Sequence, residues 1–180
     1  MVYEIETGND ELIYRSFFII HPNETPQKDA EFILNRSDLS PRLSRKWLQI
    51  SEGEILIEAH YQDKAVDLTL SSPYGVKKTS LDISQPVYDM EQMFFLLSLE
   101  KSGNFENRQF SVLIPASGMI WTGRMTQVNQ DENSVEMKYT LAGEIIFLRY
   151  QKAEPYHLLS MRAPNRGYDL ILVNENTPSP

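Results

Sequence analysis

Segments suited to β-strands recur about every ten residues along most of this 180-residue chain, with turn-forming residues between them. Connections this short favour antiparallel hairpins, because a parallel crossover needs a dozen or more residues to return the chain to the same edge. Strands are predicted near 12–21, 30–35, 43–50, 54–61, 65–71 and 76–83, then near 108–114, 119–128, 134–141, 145–151, 156–161 and 168–173. The stretches HPNETPQKD, SDLSP and SSPYG supply turn chemistry between several of the first six.

Side-chain alternation says how these strands meet their surroundings. In SVEMKYTL, Val135, Met137, Tyr139 and Leu141 share one face and Ser134, Glu136, Lys138 and Thr140 the other, so one side meets water. Val66, Leu68 and Leu70 oppose Ala65, Asp67 and Thr69 in the same way. EIIFLRY and YDLILV are apolar on both faces, which calls for a covering layer or a central place in the sheet.

The rhythm is interrupted once. In PVYDMEQMFFLLSLEKSG, Asp89 is placed as an N-cap with Gln92 three residues on, and Gly103 is placed to stop the helix. Met90, Met93, Phe94 and Leu97 make an i, i+3, i+4, i+7 stripe, which Phe95, Leu96 and Leu99 widen. The fold expected is therefore mainly β: a strongly curved antiparallel sheet or incomplete β-barrel covered by one helix at about 88–102, with a two-sheet sandwich as the other arrangement. Length favours a single domain over 1–173, followed by a polar, Pro-containing tail, 174–180, expected to be mobile.

Composition removes several chemistries. A formal net charge of −8 argues against a nucleic-acid partner, whose phosphates must be neutralised by basic residues. The chain has no cysteine, hence no disulfide, thiol nucleophile or thiolate metal site. No run is long and apolar enough for a membrane span. The start, MVYEIETGNDE, lacks the basic and apolar regions of a signal peptide, so a cytoplasmic location is expected, or the cell envelope if a leader has been removed.

Motifs for catalysis are equally sparse. His21, His60 and His157 are isolated, with no HxH or HExxH spacing, so no metal site is expected. Ser117 in PASGM lacks the nucleophile elbow and reads as a turn. Neither GxGxxG nor GxxxxGK occurs, and no cofactor is expected. Carboxylate pairs such as Glu52 and Glu54, or Asp63 and Asp67, are inevitable among 25 acids. QDENS, 130–134, lacks the ligand pattern of a calcium loop and reads as a hairpin tip.

What remains is a supply of 9 Tyr, 8 Phe, 7 Met and 2 Trp, which suits either a dry core or a cavity for an amphipathic molecule. The candidate ligand-binding residues are Met93, Phe94 and Leu97 on the helix, and Trp121 in WTGR beside Gly123 and Arg124. The order of elements from YDMEQMFFLLSLEKSGNFENRQFSVLIP onward resembles the DUF3108 family of uncharacterised bacterial β-rich proteins. Asp89, the 93–97 block, Gly103 and 110–115 match that family's order, and GYDLILVNE fits its later strands. The resemblance extends to half-barrel lipoprotein carriers and implies binding of acyl chains on a concave sheet, with no catalytic residues carried over.

Three functions follow as expectations. The first is a non-enzymatic module for a lipid or other apolar or amphipathic small molecule. The second is a structural or protein-interaction domain acting through a sheet edge or an aromatic patch, with oligomeric state left open. The third is a hydrolase whose acids and histidines converge only in the fold.

Overall fold

A computed structural model describes residues 2–18, 27–94, 96, 107–153 and 157–171. The chain is mainly β. Its strands are β1 (Val2–Thr7), β2 (Glu11–Phe18), β3 (Gln27–Asn35), β4 (Pro41–Ile50), β5 (Gly53–Tyr61), β6 (Ala65–Ser72), β7 (Gly75–Asp82), β8 (Tyr88–Asp89), β9 (Arg108–Ile114), β10 (Met119–Gln130), β11 (Ser134–Leu141), β12 (Glu144–Gln151), β13 (Leu158–Ala163) and β14 (Tyr168–Ile171). β1 to β7 form one antiparallel meander in chain order, and β14 back to β8 form a second sheet, strongly curled into a half-barrel. The chain divides into two compact units, Met1–Met90 with Val112–Ile120, and Glu91–Ser111 with Trp121–Pro180.

Local chemistry explains the hairpins. Leu141 pairs with Glu144 across Ala142 and Gly143, both at positive φ (51° and 86°), the conformation a two-residue turn needs to match strand twist. Ser72 pairs with Gly75 across Pro73 and Tyr74, as SSPYG implies. In SDLSP, Asp38 Oδ1 accepts hydrogen bonds from the Ser40 backbone N–H and hydroxyl, holding the bend between β3 and β4. QDENS is the tip joining β10 to β11.

The alternation is kept in three dimensions. Val135, Met137, Tyr139 and Leu141 are buried, and the first three lie opposite Tyr150, Leu148 and Ile146 of β12, which are buried too. In the first unit, Ala59, Val66, Leu68, Val87 and Leu113 form a core cluster, with Tyr61, Leu81 and Ile83 packed on it.

The segment expected as a helix departs from expectation at its start, and no covering helix is seen among the described residues. Tyr88 and Asp89 instead form a short strand parallel to β9, in register with Val112 and Leu113, and the Met90 N–H donates to the Leu113 carbonyl. A 3-10 turn follows at Gln92–Phe94, and Leu96 is helical. The rest of 88–102, namely Phe95 and 97–102, lies outside the described residues, as does the tail 174–180. The physical reason is the fate of one carboxylate. Asp89 is only 2% exposed and accepts the Ser44 and Tyr61 hydroxyls from β4 and β5, which holds it beside the first sheet, and Gln92 is buried in the 3-10 turn.

Candidate functional site

In the first unit a groove of about 170 Å³ lies between the β5–β7 sheet and the Pro115–Gly118 turn. Its floor is Ile57, Leu68 and Leu70, and Lys77 and Thr79 line it from β7. Register explains this mixture: Ile57 and Lys77 both pair with Leu70, and Thr79 pairs with Leu68, so all five side chains share one face. The opposite wall closes through Gly118, whose φ of 66° lets the Ser117 and Gly118 N–H groups both donate to the Ile114 carbonyl. A Cβ on Gly118 would stand 3.5 Å from Leu68 Cδ1, so the turn rests directly on the groove floor.

The Ser117 hydroxyl also donates to the Ile114 carbonyl, at 3.2 Å, which makes it part of the turn. Asp67 accepts hydroxyl and amide donors from Ser80 and Gln62, and Glu54 accepts from Gln49. These carboxylates brace neighbouring strands.

Two buried carboxylates stand out in the same unit. Asp89 Oδ2 accepts the Ser44 hydroxyl at 2.7 Å and the Tyr61 hydroxyl at 2.8 Å. Burial, followed by the charge of Asp89, raises the Tyr61 phenol well above its usual value, since both disfavour a phenolate there. Asp29 accepts the Ser16 hydroxyl at 3.0 Å and pairs with Lys46 at 2.6 Å. Each carboxylate tightens contacts between strands, which is a structural use of charge.

Of the residues singled out from sequence, Met93 is fully buried, and Phe94 is half-buried and edge-on to Tyr139 at a ring separation of 6.2 Å. The Tyr150 hydroxyl donates to the Phe94 carbonyl. Met93 and Phe94 thus share one 3-10 turn. Trp121 is 40% exposed on β10, and Leu97 lies outside the described residues. His21 also lies outside them; His60 is paired with Glu58, and His157 is half-buried. Among the described residues no group of three His, Asp or Glu side chains is placed to hold a metal ion.

The groove residues Lys77 and Thr79 escaped the sequence reading. The usable signal was VKKTS, polar on both faces, which marks an edge strand and puts one lysine on the same side as Leu68 and Leu70. No family model, no curated protein and no solved structure matches this chain.

Proposed function

We propose that the protein is a non-enzymatic binding module that holds a small amphipathic molecule in the groove beneath the Pro115–Gly118 turn. The observation behind this reading is the lining: three aliphatic side chains with an ammonium and a hydroxyl at one border. An apolar floor favours burial of hydrocarbon, and a few placed polar groups orient what is buried. The volume restricts the ligand's size, since drug-sized ligands fill pockets of roughly 300 Å³ or more. The ligand is therefore a short chain or the end of a longer one.

Solvent extraction of the purified protein followed by mass spectrometry is expected to release an amphipathic molecule, and Ala116→Trp, which fills the groove from its wall, is expected to remove it. An extract that is empty, or unchanged by that substitution, overturns the reading.

A second reading has its own observation. Among the described residues β7 has a sheet neighbour on one side only, and seven of its eight residues are exposed, which suits pairing with a partner strand. Mass that rises with concentration in sedimentation supports it.

A further inference from the structure

Resting on the binding reading, we infer that the groove selects its ligand by charge: it takes a small amphipathic anion, whose head lies at Lys77 and Thr79 and whose hydrocarbon covers Leu68 and Leu70. On the groove face of the sheet the polar side chains stand on one border, since Thr69 pairs with Lys78 and turns its side chain to the other face. Lys77 and Thr79 belong to the outermost strand of the sheet, while Leu70, Leu68 and Ile57 lie on β6 and β5 behind them. A ligand in the groove therefore has one orientation that leaves its head at the edge and its tail inside.

The sign of the head follows from the donors. Among the described residues Lys77 has no ion pair, so its ammonium is available to a ligand, and the Thr79 hydroxyl can donate beside it. Ser117 is committed to the Ile114 carbonyl and offers the groove no competing role. An anionic head gains a charge-assisted hydrogen bond here; a neutral head of the same length gains only an ordinary one. At about 170 Å³ the groove is smaller than a drug-sized pocket and suits a short hydrocarbon chain.

The neighbouring lysine supplies an internal control. Lys78 pairs with Thr69, and so projects from the opposite face of the sheet. It contributes the same charge to the same strand without lining the groove.

The test uses hexanoate and 1-hexanol, which share a chain and differ in head charge, followed through the backbone amides of Leu68, Leu70 and Gly118 by NMR titration. Hexanoate is expected to bind about fivefold more tightly than hexanol, the size of one partly exposed ion pair. Lys77→Met, which keeps the length of the stem, is expected to bring hexanoate down to the level of hexanol, whereas Lys78→Met leaves the preference intact. Equal affinity of both probes in the unaltered protein overturns the charge selection and leaves the groove a binding site; so does a preference that survives Lys77→Met or disappears in Lys78→Met. If neither probe moves the three amides, the binding reading itself falls, and this inference with it.

Discussion

Asp89 shows how far one side chain can redirect a segment. Its sequence position favours a helix N-cap, yet its carboxylate sits 2% exposed between the hydroxyls of Ser44 and Tyr61. A buried carboxylate without donors costs several kcal/mol, and the Ser44 and Tyr61 hydroxyls are two donors that offset that cost. Ser44→Ala removes one of them without opening the site to water. The substitution is expected to lower unfolding free energy by about 2 kcal/mol, the usual loss for a hydrogen bond to a charged, buried group. Ser117→Ala, at an exposed turn hydroxyl, is expected to change it by no more than about 0.5 kcal/mol. Urea denaturation of both variants, with unchanged slopes, checks the contrast.

At the scale of elements, a row of alternating charge crosses the first sheet. Arg15 bonds Glu6 on β1 at 3.1 Å and Glu31 on β3 at 2.8 Å; Arg45 bonds Glu31 at 2.9 Å and Glu58 on β5 at 2.7 Å. Glu31 is shared. Among the described residues, losing either arginine leaves it one charged partner and losing both leaves it none, so the costs should not add. Arg15→Met and Arg45→Met together are expected to exceed the sum of the single losses by about 0.5 to 1 kcal/mol in a double-mutant cycle. Additive losses would mean that Glu31 does not couple the two strands flanking its own.

The strands themselves are largely legible in the sequence. Val135, Met137, Tyr139 and Leu141 announce their face by period alone, and the SSPYG and QDENS turns end strands where expected. β1 and β8 were not anticipated: VYEIET carries two glutamates, and Tyr88–Asp89 is too short for any period to emerge. The burial of Asp89 is not legible in sequence because capping and burial draw on the same residue type, and tertiary contacts such as those to Ser44 and Tyr61 place its carboxylate. The groove was illegible for a related reason. Its lining joins β5, β6 and β7 to a turn more than 35 residues further along the chain, and local periodicity carries no information about that meeting.

For the whole molecule, the ionisable groups set the pH range in which the fold is secure. Burial opposes ionisation of Glu31, but hydrogen bonds from Arg15 and Arg45 outweigh it and lower its pKa; the Arg45 bond lowers that of Glu58. Asp131 is lowered to about 2 by the Ser134 hydroxyl and by the backbone N–H groups of Asn133 and Ser134. Carboxylates depressed in the folded state contribute stability that is fully present above their unfolded values, near pH 4 to 4.5, and lost as pH falls through the folded ones. Tyr61 acts at the other end. Its pKa is raised on folding, so its contribution is complete below about pH 10, where the unfolded phenol titrates, and is lost as pH rises further. Unfolding free energy measured by urea from pH 2 to 11 is therefore expected to hold a plateau between about 4.5 and 10 and to fall on both sides. Tyr61→Phe tests the alkaline limb: the fall above about pH 10 should become shallower because the buried phenol no longer ionises, while the loss of its hydrogen bond to Asp89 lowers the plateau itself. An alkaline limb of unchanged slope in that variant would show that ionisation of Tyr61 is not what destabilises the fold above pH 10.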